Sequence, residues 1–311
     1  MKGESPASVT KPSRSLERYL GCVLGLATGD ALGAPHEGGP AERMLWRLIG
    51  KTPSGCFRWT DDTQMSLDLA ESLLSRGDLN PTDLAQRFAA SYRWSRGYGP
   101  GTARVLRRLR RGEPWQEAAL AGHAGGSLGN GAAMRAPILA LFFPDDDRAV
   151  IESARTSARV THAHPLGIEG ALIIGVAAHA LLNDISANET LDAVRRSVAS
   201  PEMSSRLETA QGWLTSGNPP EPPDVVRDLG NGASAPASCP TALYIAIRFL
   251  TEPFEEMLRF VIKCRGDVDT IAAMAGALWG VANGNDRLPD IRLEAREHLE
   301  DVAVRLYEAR S

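Results

Sequence analysis

The chain has 311 residues, 43% of them hydrophobic and 23% charged, with a formal net charge of −4 at pH 7. That is the composition of an ordinary soluble globular protein with a sizeable core, and it gives no support for nucleic acid or an anionic membrane as a partner. Cys22, Cys56, Cys239 and Cys264 show neither C-x-x-C pairing nor zinc-like spacing, which fits a reducing, cytoplasmic setting.

Residues 1–14 are rich in Ser, Pro and Lys without an apolar stretch, and are expected to form a disordered tail ahead of one domain over 15–311. Leu16, Tyr19, Leu20, Val23 and Leu24 predict a helix over 16–26, running into the turn-rich Gly29-Asp30-Ala31-Leu32-Gly33-Ala34-Pro35-His36-Glu37. Next comes Arg58-Trp59-Thr60-Asp61-Asp62-Thr63-Gln64-Met65. Asp61 with Gln64 three residues on reads as a variant capping box, and Met65, Leu69 and Leu73 form one face of a helix over 64–76. Helices are predicted over 80–95, with Pro81 well placed at its first position, and over 102–111 and 114–121. The arginines between 104 and 111 read as a solvated face.

Two glycine-rich stretches precede helices, at 96–102 and 125–135. Such stretches are either flexible turns or cradles whose exposed N–H groups hold a phosphate. Neither continues into the Gly-Lys-Ser/Thr of a Walker loop. Helices follow over 131–141, 145–160, 167–183, 188–198 and 203–216. His162 and His164 lie between the second and third of these, and their spacing is not that of a helical metal pair. The apolar runs 171–182 and 271–282 fall short of the roughly 18 residues a membrane helix needs. A Pro/Gly/Ser/Asn-rich segment at 215–240 reads as a long surface loop within one domain. Helices over 242–250, 254–264, 270–284 and 293–310 complete the chain. No pair of β-branched runs is joined by a hairpin turn, so the class is all-α.

The segment Cys264-Arg265-Gly266-Asp267-Val268-Asp269-Thr270-Ile271 repeats the chemistry of the first acidic stretch, two carboxylates and a hydroxyl at a helix start. If the two helix starts meet, four carboxylates converge with Thr60 and Thr270. They share a small volume only when protonated or bound to cations, and all-oxygen donors select hard ions such as Mg²⁺, Mn²⁺ or Ca²⁺.

The order of Gly25-Leu26-Ala27-Thr28-Gly29-Asp30-Ala31-Leu32-Gly33 with Glu37, Trp59-Thr60-Asp61-Asp62-Thr63, Gly129-Asn130-Gly131-Ala132-Ala133-Met134-Arg135, Thr161-His162 and Gly266-Asp267-Val268-Asp269-Thr270 resembles the ADP-ribosylglycohydrolase family. The resemblance implies a single compact multi-helix domain with two Mg²⁺ or Mn²⁺ ions in a cleft. It implies metal ligands at Thr60, Asp61, Asp62, Asp267, Asp269 and Thr270. Loops carrying Tyr98, Gly99 and Gly101, and Ser127, Gly129, Asn130 and Gly131, would cradle a diphosphate, with His162 on the ribose and adenine side. The implied reaction cleaves the bond between ADP-ribose and a protein or small-molecule acceptor, releasing ADP-ribose. Proton removal from water falls to Glu37, on a mobile flap in some members, or to a ligand acid such as Asp62 or Asp267.

Two positions depart from the family's pattern: Val268, expected to point away from the ions, and Trp94-Ser95, near where some members carry an additional acid. A two-metal phosphohydrolase, which would yield AMP and ribose phosphate, and a non-catalytic ADP-ribose-binding relative are the competing readings.

Overall fold

The computed structural model describes residues 15–120 and 125–310; the expected tail over 1–14 lies outside them. The first part of the chain folds into α1 (Leu16–Gly33), α2 (Pro40–Ile49), α3 (Asp61–Arg76), α4 (Pro81–Ser91), α5 (Pro100–Arg110) and α6 (Trp115–Ala118). The middle supplies α7 (Pro137–Phe142), α8 (Asp147–Arg159), α9 (Pro165–Leu182), α10 (Ala187–Ser197) and α11 (Pro201–Ser216). The last part supplies α12 (Pro222–Asp228), α13 (Ala235–Arg248), α14 (Phe254–Cys264), α15 (Val268–Asn283) and α16 (Arg296–Glu308). Among the described residues only isolated bridges occur in place of strands, so the class is all-α.

The organising contact is an antiparallel seam between α1 and α15. Gly21, Gly25, Gly29 and Gly33 recur every fourth residue along one face of α1. A methyl group on Gly21, Gly25 or Gly29 would overlap the backbone carbonyl of Gly280, Gly276 or Ala272 respectively. One on Gly33 would come within 2.6 Å of the Asp269 Cα. Small residues at this spacing let two backbones touch. The seam also explains why α1 continues to Gly33 when the sequence suggested a turn from Gly29. Glycine disfavours a helix by about 1 kcal/mol, and close packing along the whole face offsets that.

On its other faces α15 packs against α9, α13 and α14. Helix α9, whose 18 residues average a hydropathy of 1.7, is long and apolar enough to cross a membrane, contrary to the shorter run read from the sequence. In this fold α7, α8, α10, α13 and α15 surround it, and 72% of it is buried. Its Glu169 accepts hydrogen bonds from the backbone N–H groups of Ala199 and Ser200, both at 2.9 Å, tying it to the start of α11.

Several helix boundaries differ from the sequence reading. The N-cap of α3 is Thr60, whose hydroxyl accepts from the Asp62 N–H at 3.3 Å, so Asp61 sits inside the first turn and not at its cap. Helix α4 stops at Ser91, whose hydroxyl bonds to Asp68, and the Tyr92 ring turns edge-on to Tyr98. The expected helix over 131–141 opens with a short 3-10 turn, Asn130–Ala132, and becomes α-helical only at Pro137. Part of the expected loop over 215–240 is helical, as α12 and the start of α13, which has Pro236 in its first turn and tolerates Pro240 farther in.

Candidate metal-binding and active site

The antiparallel seam brings the end of α1 to the start of α15, and Asp30 ties both to α3. Asp30 is fully buried and accepts from the backbone N–H of Thr60 (2.9 Å), the N–H of Thr63 (3.1 Å) and the Thr63 hydroxyl (2.6 Å). One carboxylate thereby satisfies free N–H groups at the beginning of α3. Burial pushes its pKa up to about 6 against the pull of those hydrogen bonds. Asp62, 1% exposed, accepts from the hydroxyls of Thr60 (3.0 Å) and Thr270 (3.4 Å), both on Oδ2. Its Oδ1 is buried and lacks any hydrogen-bond partner.

The second acidic stretch is shaped by Gly266. It adopts φ +78°, and a side chain there would run into the Asn231 carbonyl, which accepts from the Asp267 N–H at 2.8 Å. Only glycine tolerates both conditions. Asp267 also takes a hydrogen bond from the Asn130 side chain, which is itself held at 3.0 Å from the Ser238 hydroxyl. Glu37, at the end of a 3-10 turn over Ala34–His36, completes the group. One carboxylate oxygen each from Glu37, Asp267 and Asp269 lie within 4.8 Å of one another.

Burial raises Asp61, Asp62 and Asp269 well above the usual carboxylate range, and the neighbouring acids push in the same direction. Asp267 is raised by burial against hydrogen bonds from Asn130 and its neighbours. So many crowded carboxylates ionise together only beside a cation. The unpartnered Oδ1 of Asp62, the clustered oxygens and the hydroxyls of Thr60 and Thr270 make an oxygen-only donor set that fits Mg²⁺ or Mn²⁺.

Against this group lies a cavity of about 690 Å³. Glu37, Asp61, Asp267, Asp269 and Thr270 line its acidic side; Gly99, Gly101, Ser127, Gly129, Asn130, Gly131 and His162 line the rest. Thr60 and Asp62 are buried and do not line it, Asp62 being bonded to the lining residue Thr270. Tyr98 does not line the cavity: its ring is buried against Tyr92, with centroids 5.0 Å apart. His162 packs under the second glycine loop, where a side chain on Gly131 would meet its Nε2 at 2.9 Å. Burial lowers His162 to about 3, so it is neutral. His164 also borders the cavity and serves as the N-cap of α9, accepting from the Leu166 N–H at 3.2 Å. A larger cavity, about 750 Å³, opens between α8, α9 and α10 but contains none of the residues singled out from the sequence.

The chain as a whole has counterparts among known proteins. A sequence model described as ADP-ribosylglycohydrolase matches residues 11–311. The chain belongs to the ADP-ribosylglycohydrolase family. It is 31% identical to mouse ADP-ribosylhydrolase ARH3, over 94% of this chain and 90% of the mouse protein. It is 30% identical to the ADP-ribosyl-[dinitrogen reductase] glycohydrolase of Rhodospirillum rubrum, over 88% of each chain. A solved structure titled ADP-ribosylglycohydrolase-related protein complex superposes with a TM-score of 0.70 at 30% identity, covering 95% of this chain and 99% of that one. As a member of this family the chain is a glycohydrolase.

Of the two departures from the family's pattern, Val268 is fully buried in the core. Trp94 is 84% exposed and adds no acid to the cavity. The sequence reading assigned no site role to Asp30, Asn231 or Ser238. Asp30 stands in the quoted Gly29-Asp30 motif, so its position was visible; its bonds to α3 are long-range and were not.

Proposed function

We propose that the chain is a divalent-metal-dependent hydrolase that cleaves the glycosidic bond between ADP-ribose and a protein side chain or small molecule, releasing ADP-ribose. The observation that carries this reading is the juxtaposition, across one cavity, of Glu37, Asp267 and Asp269 with the glycine loops over 97–101 and 126–131. The names of the mouse and Rhodospirillum relatives point to the same bond. Thr60, Asp61, Asp62, Asp267, Asp269 and Thr270 would hold the ions. Bound there, Mg²⁺ or Mn²⁺ supplies positive charge that orients ribose hydroxyls and acidifies water.

The chain's own groups divide the remaining work. Glycines 129 and 131 keep the cavity wall free of side chains, so backbone N–H groups and His162 can approach a diphosphate. Asp62 and Asp267 are held by hydroxyl and amide donors, which suits fixed ligands better than bases that must move. Glu37 is less buried, sits on a short turn outside any α-helix and faces the cavity. It is the acid best placed to take a proton from attacking water as the oxocarbenium-like state develops. The four free cysteines fit a cytoplasmic setting.

The test is release of intact ADP-ribose from arginine-, serine-, ester- and nucleobase-linked substrates, with Mg²⁺ and Mn²⁺ in parallel. Formation of AMP and ribose phosphate would point to a phosphohydrolase, and tight ADP-ribose binding without turnover of any substrate to a binding protein.

A further inference from the structure

Arg135 is fully buried, immediately behind the second glycine loop. Its guanidinium donates to the Gly131 carbonyl (2.9 Å), the Ser157 carbonyl (2.8 Å), the Ser157 hydroxyl (3.2 Å) and the Thr161 hydroxyl (3.0 Å). It also lies over the Phe88 ring, 4.7 Å from its centre. No carboxylate is in ion-pair contact with it among the described residues. Burial lowers its pKa to about 9, which leaves it protonated at neutral pH. A charge buried at this cost, with its hydrogen bonds spent on two carbonyls and two hydroxyls, all neutral, calls for a use.

The Thr161 hydroxyl has one hydrogen. Arginine has only donors, so the hydroxyl must accept from Arg135. Its other described polar neighbour is His162 Nδ1, at 2.8 Å. If Nδ1 carried the imidazole proton, the hydroxyl hydrogen would be buried without an acceptor, which costs stability. The favoured arrangement is a relay: Arg135 donates to Thr161, Thr161 donates to Nδ1, and the imidazole proton resides on Nε2. No protein acceptor for Nε2 is present among the described residues, and the ring lines the cavity beside Gly129 and Gly131.

We infer that Arg135 and Thr161 are positioning residues that lock His162 as the Nε2–H tautomer, presenting an uncharged hydrogen-bond donor to an anionic or hydroxylated ligand group in the cavity. Such a donor suits a cleft whose opposite wall is acidic. It favours a diphosphate without placing a second cation beside the ion site. The same guanidinium holds the Gly131 carbonyl, so the loop and the ring are set by one group. The identity of the ligand rests on the function proposed above; the tautomer does not.

The experiment therefore reads the two separately. Nitrogen-15 spectra of histidine-labelled, ligand-free protein should show His162 as a neutral ring protonated on Nε2 and not titrating between pH 5 and 8. Thr161→Val should move that signal toward the other tautomer or a mixture, whereas Thr161→Ser, which keeps the hydroxyl, should restore it. ADP-ribose affinity should fall about tenfold in Thr161→Val, the scale of one hydrogen bond to a charged group, and recover in Thr161→Ser. A wild-type signal showing the proton on Nδ1, or a tautomer unchanged by Thr161→Val, overturns the relay whether or not ADP-ribose binds. An altered tautomer with unchanged ADP-ribose affinity overturns the role of the donor while leaving the relay. No ADP-ribose binding by the wild type, with the tautomer as described, counts against the proposed function alone.

Discussion

The two ends of α3 bury the same chemical group in opposite circumstances. At its start, Asp61 and Asp62 share their surroundings with Asp30, Asp267 and Asp269, and the groups that perturb them are burial and other acids. At its end, Asp83 is enclosed by Arg76 (2.7 Å), Arg87 (2.8 Å) and the Ser72 hydroxyl (2.8 Å). Burial works to raise Asp83, but those donors outweigh it and leave the carboxyl at about 2. At Asp83 the chain supplies its own cations. At Asp61 and Asp62 it supplies none, and the acids are poised for cations from outside.

The comparison breaks most visibly if the acids at the start of α3 do not behave as a cation site. Each Mg²⁺ or Mn²⁺ held at 100 times its dissociation constant should stabilise the protein by about 2.7 kcal/mol, read as a higher melting temperature that chelation reverses. Asp62→Asn and Asp269→Asn should abolish much of that response and lower turnover by about 10³-fold, the scale of several lost charge-assisted contacts. In metal-free protein the same changes should be neutral or stabilising, because each relieves repulsion. A metal-free Asp62→Asn protein that is clearly less stable than its parent would show that the acid is structurally paired after all.

Within the acidic group, Glu37 should separate from its neighbours. Glu37→Gln should keep the fold and hold ADP-ribose within a few-fold of the parent, yet turn over about 10²-fold more slowly, in the range of a general base. Parent-like turnover on a confirmed substrate would make Glu37 a bystander and return the role to Asp61, Asp62 or Asp267.

What the sequence disclosed follows from how local each feature is. Asp61-Asp62 and Asp267-x-Asp269 were legible because a helix start announces itself over four or five residues. The position of the cap was not, since Thr60 and Asp61 are both good N-caps and only tertiary contacts with Asp30 and Thr270 choose between them. The glycines of α1 misled, because their low helix propensity is local while the backbone of α15 that favours them lies some 250 residues away along the chain. Helix α2 was not read from the sequence, although Met44, Leu45, Leu48 and Ile49 lie at helical spacing; in the fold Met44, Leu45 and Leu48 face solvent while Trp46 is buried. The cavity walls at Gly99–Gly101 and Gly129–Gly131 were anticipated, but Tyr98 was not expected to turn inward onto Tyr92.

At the other end of α3, removal of the carboxylate should act on stability alone. Asp83→Ala strands Arg76 and Arg87, leaves the Ser72 hydroxyl without its acceptor, and should cost about 2 kcal/mol. Denaturant unfolding measures it, and the loss should be the same with metal or chelator. A loss that disappears on adding Mg²⁺ would mean the two ends of the helix are energetically coupled.

Between the two ends, Asp68 offers the most specific test. It lies on the same helix, 9% exposed, accepting from the Ser91 hydroxyl and from Gln64 at 3.3 Å, and forms no described ion pair. Burial raises it to about 7, against those hydrogen bonds and the more distant charges of Arg87 and Arg135. A raised acid binds a proton in the folded state that the unfolded chain has already released. Stability from Asp68 is therefore fully present below about pH 4, falls as pH rises toward 7, and is flat above. Asp83 follows the opposite rule: its contribution is complete above about pH 4 and is lost only as pH falls toward 2. Between pH 4 and 7 the slope assignable to this pair thus belongs to Asp68. Comparing Asp68→Asn with the parent by urea unfolding across that range should remove a fall on the order of 4 kcal/mol, whereas Asp83→Ala should leave the slope in place. Parallel curves for Asp68→Asn and the parent would show that Asp68 is ionised in the folded protein, and that burial with two neutral hydrogen bonds keeps a carboxylate charged on this helix.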